Sequence, residues 1–272
     1  LGVRRCGKKK KKILRPRAPF SPSPLPPGLQ VGMAAPLFSS WRGVVFDKDG
    51  TRLNKAPSAM SIADIQAMTA SFVAAAKRSL DAGYELLEIH GAHGYLLHSF
   101  FTPLVNTRTD AYGGDFEGRS RFMRETVAAV REVWPERLPL AVRLSVTDWI
   151  DGGLTIYDNI QMATALRDLG VDMIDCSGGG ATPAARASIG TRTADQVGMA
   201  AQLRRETGVI TAAVGCITDA EQAEKIIASG QADIALMARE HMRDPHVALR
   251  TARELGVDPK PHLPQQYGFY MN

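Results

Sequence analysis

Apolar and polar positions fall into alternating blocks along most of this chain. Continuous apolar runs of six to eight residues are followed by longer stretches in which apolar residues return every three or four positions. The runs Tyr84 to Ile89, Leu138 to Ser145, Val171 to Cys176, Val209 to Val214 and Ala232 to Met237 are too short for core helices and read as buried strands. The segments Ser61 to Leu80, Phe116 to Val133, Thr155 to Leu169, Thr193 to Arg205, Asp219 to Ala228 and Pro245 to Leu255 carry the helical period. Gly83, Gly170, Gly208 and Gly230 mark where four of them stop. Ser61 with Asp64 has the form of a capping box opening the first helix. Strand alternating with helix in this way predicts an α/β fold with a parallel sheet covered by helices.

Repeated β/α units of this kind close into a (β/α)8 TIM-type barrel of about 250 residues. Five units are readable, so an incomplete barrel is expected. Before residue 60 the pattern offers one strand, Gly43 to Phe46, and a turn at Asp47-Lys48-Asp49-Gly50. Three segments are therefore expected: a basic, proline-rich leader over 1–32, an irregular stretch over 33–60, and the barrel domain over 61–272.

Charge changes the picture only at the start. The chain has 272 residues and a formal charge of +5, but Arg4, Arg5, Lys8 through Lys12, Arg15 and Arg17 crowd into the leader with no acid beside them. Without those nine, 24 basic residues face 28 acidic ones, so nucleic-acid binding by the body is not expected. The leader, with its six prolines, buries little and is expected to be disordered. It lacks the apolar core of a secretory signal, and no stretch reaches the length of a membrane span. Met33-Ala34-Ala35 has the form of a start site, and an organellar presequence is the alternative reading of the leader. Cys6, Cys176 and Cys216 are too scattered for a disulfide framework, which points to a reducing, cytoplasmic setting. Cys176 and Cys216 are expected to be small buried hydrophobes.

The chemistry concentrates where the first clear strand ends, in His90-Gly91-Ala92-His93-Gly94-Tyr95. Side chains at the carboxyl ends of parallel strands are how α/β barrels build active sites. Imidazole N–H groups can hold an oxygen that gains negative charge, and the phenol of Tyr95 adds a proton donor. On an ideal strand His90 and His93 point to opposite faces, so a shared target requires the backbone to leave strand geometry at Gly91, a departure that Gly91 and Gly94 permit. A metal pair or two solvated histidines remain the alternatives, the metal reading needing further ligands such as Asp148 or Asp175. Arg143 interrupts the apolar run Leu140-Ala141-Val142-Arg143-Leu144, where a charge must be paired or functional; Asp148 and Asp175 are the candidate partners.

The histidine segment, together with Thr102-Pro103-Leu104-Val105-Asn106-Thr107-Arg108-Thr109-Asp110-Ala111-Tyr112-Gly113-Gly114 and Glu117-Gly118-Arg119-Ser120-Arg121-Phe122, closely resembles the flavin-dependent old yellow enzyme (NADH:flavin oxidoreductase) family. The resemblance continues to about Tyr267 and implies that the readable strands are the fourth to eighth of the barrel. It implies FMN as cofactor and NAD(P)H as reductant, with the activated C=C bond of an α,β-unsaturated carbonyl compound as substrate. It makes His90 and His93 ligands of the carbonyl oxygen and Tyr95 the proton donor. Arg143 is placed at the flavin N1/O2 edge, and Gly215, Cys216, Ala238 and Arg239 at its phosphate. His98 is expected to be structural. Where relatives that share a site between subunits carry an arginine, this chain has Phe269, although homo-oligomers remain open. The competing expectation is a catalytically silent, FMN-deficient barrel fragment.

Overall fold

The computed structural model describes residues 59–184 and 193–260, Leu263 and Gln266, and the backbone of two short strands at 45–46 and 52–53. The leader 1–32, the turn at 47–50 and most of the closing 265–270 segment lie outside the described residues. Strands β1 (Val45–Phe46) and β2 (Arg52–Leu53) pair antiparallel, Val45 opposite Leu53. The described residues up to Gln66 fall in one unit and those from Ala67 onward in another.

From residue 62 onward the described chain follows the expected alternation. Helix α1 (Ile62–Asp81) leads to β3 (Leu87–Gly91), then α2 (Leu96–Phe101), α3 (Phe116–Val133), β4 (Leu140–Ser145), α4 (Ile156–Asp168) and β5 (Met173–Ser177). It continues through α5 (Thr193–Thr207), β6 (Ile210–Val214), α6 (Ala220–Ala228), β7 (Ile234–Leu236), α7 (Arg239–Arg243) and α8 (Val247–Glu254). Strands β3 to β7 form one parallel sheet in sequence order. Strands side by side in chain order with a helix in each crossover are the arrangement of a barrel wall.

Local chemistry explains the helix starts. Asp115 caps α3 by accepting the Gly118 N–H at 2.9 Å. Thr155 and Asp158 form a reciprocal capping box on α4, with the Thr155 N–H donating to Asp158 Oδ2 at 2.8 Å. Asp219 caps α6 through the Gln222 N–H at 2.7 Å. Helix α3 buries Phe122, Met123, Thr126, Val127 and Val130, one face at helical spacing. No described helix is long and apolar enough to cross a membrane.

The sheet has two unlike faces. Ile89, Gly91, Leu140, Val142, Leu144, Ile174, Cys176 and Ala213 alternate onto the buried, helix-covered side. Their neighbours Glu88, His90, Ala141, Arg143, Met173, Asp175, Ala212 and Ile234 line the other, concave side. There Ala141, Met173, Ala212, Ile234 and Leu236 pack together as an apolar floor.

Candidate active site

Along the same face the strand register assembles a row that is polar from β3 to β5. His90 lies opposite Arg143, Arg143 opposite Asp175, Asp175 opposite Ala212, and Ala212 opposite Ile234. Because side chains alternate along every strand, these five share the concave face. Arg143 Nε is 3.2 Å from Asp175 Oδ2, so the second of the two partners suggested by the sequence is the one observed.

Beyond β3 the chain turns sharply. His93 lies at φ 62° and Gly94 at φ 76°, so the departure from the strand falls at these two residues and not at Gly91, where the sequence suggested it. Gly91 ends the strand, and its requirement is spatial: a Cβ there meets Met123 Cε at 2.9 Å and the Arg143 carbonyl oxygen at 3.0 Å. The turn brings the three ring systems together. The His90 centroid is 5.2 Å from that of His93 and 5.2 Å from that of Tyr95.

Neighbouring strand ends hold the turn in place. The His93 N–H donates to Ser145 Oγ at 2.9 Å, and Ser145 Oγ donates in turn to the Gly179 carbonyl at 2.8 Å. His93 Nε2 lies 2.6 Å from Ser177 Oγ, which leaves Nδ1 as the ring nitrogen open to a ligand. The Gly94 N–H donates to Nδ1 of His98, which therefore carries its proton on Nε2, 3.3 Å from Asp148 Oδ1. Asp148 also accepts from Thr102 Oγ1 at 2.6 Å and from the Leu154 N–H at 2.9 Å. Burial raises the affinity of Asp148 for a proton, but His98, Thr102 and Leu154 outweigh it and hold the carboxyl below its ordinary range. His98 and Asp148 are both wholly buried, so His98 supports the turn from behind, as expected from its helical setting.

Two glycines interlock the turn with the loop after β5. A Cβ at Gly94 lies 2.3 Å from the Gly180 carbonyl oxygen, and one at Gly180 lies 2.6 Å from the His93 backbone.

The electrostatics favour neutral imidazoles. Loss of water, then Arg143, then His98 lower His90 to about 4; for His93 loss of water, Arg143, His90 and His98 lower the value to about 3. Both rings are uncharged N–H carriers at neutral pH, suited to hydrogen-bond an oxygen without bringing a full positive charge. Asp175 is shifted the other way. Burial raises it to about 7 against the pull of Arg143, and Glu88 adds a further rise.

A second group forms at the ends of β6 and β7. Gly215 has φ 123° and Cys216 φ 42°, and Arg239 Nη2 donates to Cys216 Sγ at 3.4 Å. Ala238 is the N-cap residue of α7. Cys176 is buried as expected, but Cys216 is exposed because it stands on the turn beyond the strand rather than within it. Ser145 and Ser177 have roles that the sequence alone did not assign, and Asp148, offered there as a partner of Arg143, serves His98 and Thr102 instead. The available signal was their place at or near strand ends.

A parallel barrel wall with its polar side chains gathered at the strand ends is the arrangement of a barrel enzyme's site. Residues 40–257 match the model of the NADH:flavin oxidoreductase / NADH oxidase family, and the chain belongs to that family. It is 43% identical over 205 residues to an NADPH dehydrogenase of Bacillus velezensis, covering 75% of this chain and 59% of that protein. An NADPH dehydrogenase of Bacillus subtilis (strain 168) is 42% identical over 202 residues, covering 74% and 58%. The chain thus spans about three fifths of the length of these curated relatives. Among solved structures, a 2-naphthoyl-CoA reductase complex superposes with TM-score 0.68 at 26% identity, covering 76% of this chain and 31% of that one. A morphinone reductase mutant in complex with tetrahydroNAD gives 0.62 at 25% identity, covering 80% and 58%.

Proposed function

We propose that this chain is the catalytic portion of an FMN-dependent NAD(P)H oxidoreductase that reduces the activated C=C bond of α,β-unsaturated carbonyl compounds. The observation that carries the reading is the convergence of His90, His93 and Tyr95, with the His90 ring 5.2 Å from each of the other two and Arg143 opposite His90 on the next strand. The residues present suit FMN. Arg143 offers a cation on the concave face at a strand centre where an unused charge is costly. Gly215, at a φ that side-chain-bearing residues avoid, lets the backbone come close to a phosphate, and Arg239 beside it supplies a cation able to bind two oxygens. Gly215, Cys216, Ala238 and Arg239 would hold the phosphate, and Arg143 the pyrimidine edge of the ring. FMN, when bound, supplies hydride transfer.

The protein's part is orientation and charge. His90 and the Nδ1 side of His93 donate hydrogen bonds to the carbonyl oxygen of the substrate, and these bonds strengthen as negative charge develops there. Ser177 fixes the His93 ring, and donation from its hydroxyl to Nε2 leaves the proton on Nδ1 for this task. Tyr95, 39% exposed and adjacent to His90, delivers a proton to the α-carbon. NAD(P)H is the reductant that fits the relatives, which are named NADPH dehydrogenases.

Absorption spectra of the purified chain before and after addition of FMN test the reading. A bound flavin band, and a long-wavelength charge-transfer band on adding a phenol, are the expected result. The double change of His90 and His93 to alanine is expected to abolish the phenol band while FMN remains bound. A chain that retains no FMN under any refolding condition overturns the proposal in favour of an inactive fragment.

A further inference from the structure

The row His90–Arg143–Asp175 contains one group that the proposed reaction leaves unused. Asp175 is 1% exposed, and its Oδ1 has no hydrogen-bond partner. Its Oδ2 lies 3.2 Å from Arg143 Nε, but the alignment is that of an ion contact rather than a hydrogen bond, because Arg143 Nε is itself unbonded. A buried carboxylate left in this state is costly, and one of its two remedies is to carry a proton. The charged groups that act on it are Arg143 from β4 and Glu88 from β3; β6 presents only Ala212.

We propose that Asp175 is a proton-accepting positioning residue for Arg143: it takes up a proton when negative charge arrives in front of the guanidinium, and so sets how strongly that cation holds an anionic ligand edge. This rests on the reading that Arg143 faces the FMN ring. As a carboxylate, Asp175 neutralises much of the Arg143 charge at short range. As a carboxylic acid, it leaves that charge whole. Negative charge gained by the cofactor repels the carboxylate and draws Arg143 forward, and both effects raise the affinity of Asp175 for a proton. In balance, NAD(P)H delivers two electrons and one proton to the cofactor, and a second proton passes from solvent to Asp175. The near-neutral value of about 7 for Asp175 places this exchange within the working pH range.

The test is the midpoint potential of the FMN-loaded full chain against pH. Above pH 7 the wild type is expected to take up two protons per two electrons, falling toward one at lower pH where Asp175 already carries its proton, and Asp175→Asn only one throughout. Asp175→Glu is expected to restore the second proton, which a purely structural contact would not do. Infrared difference spectra on reduction supply a measurement on the wild type alone. A protonated-carboxyl band is expected to appear there, and to be absent from Asp175→Ser, a second variant should the asparagine fail to fold. A wild type that binds FMN and takes up a single proton throughout, or one whose second proton survives in Asp175→Asn, overturns this inference and leaves the FMN reading standing. A chain that binds no FMN overturns both.

Discussion

At the scale of single residues, Gly94 and Gly114 separate two effects that are usually confounded. They have nearly the same φ, 76° and 78°, but a Cβ at Gly114 meets nothing within 4 Å, whereas one at Gly94 lies 2.3 Å from the Gly180 carbonyl oxygen. Left-handed backbone with a side chain costs about 1–2 kcal/mol, and that alone is expected for Gly114→Ala. Forcing a group into filled space adds about 1–3 kcal/mol, so Gly94→Ala is expected to lose correspondingly more stability in urea unfolding. Gly94→Ala is also expected to weaken phenol binding, because its strain bears on the turn that carries His93. Equal losses in the two variants would mean that the β5 loop yields freely. The histidines, the tyrosine and Arg143 could be read from residue type and place in the strand pattern. Asp175 could be named only as one of two candidate partners of Arg143, and Ser145 and Ser177 not at all, since their roles depend on which residues face each other across strands, and that register is written in no single strand.

At the scale of elements, the helices were the more legible part. The period and the Asp115 cap define α3 over Phe116–Val133, the same bounds that the apolar spacing gave. Removing that cap by Asp115→Ala is expected to cost about 1 kcal/mol, readable as a lowered urea midpoint with unchanged slope. Four strands begin two or three residues later than the apolar runs suggested: β3 at Leu87, β4 at Leu140, β5 at Met173 and β7 at Ile234. The reason is that hydrophobicity reports burial, not pairing. Leu138, Val171 and Ala232 are buried at 8%, 3% and 2% exposure, yet they lie in the irregular segments that lead into the ladder. Tyr84 and Leu86 are a different case, apolar but exposed at 55% and 49%, and nothing in their type distinguishes them from strand residues.

At the scale of the whole molecule, the site leaves opposing marks on stability as pH changes. His90 and His93 titrate at about 4 and about 3 when folded, against an ordinary 6.5. As pH falls below 6.5 the unfolded chain binds protons that the folded one refuses, so stability is lost toward acid. Asp175 acts in reverse. Its folded value of about 7 against an ordinary 3.8 means that the folded chain keeps a proton the unfolded chain releases, so this contribution fades as pH rises from about 4 to about 7. Asp175→Asn removes the second trend and leaves the first. In the protein without cofactor, the variant's stability is expected to climb between pH 5 and pH 6.5 more steeply than that of the wild type, by about 1.4 kcal/mol per pH unit. Denaturant titrations at a series of pH values check this; parallel profiles would remove Asp175 from the acid–base account.

The paired absence of side chains at Gly94 and Gly180 carries a mechanical consequence. Each backbone occupies the hollow left by the other, so neither segment can tilt without levering its mate. An incoming molecule that nudges the imidazoles is felt in the loop that follows β5, so the two strand ends yield together rather than as two independent fingers.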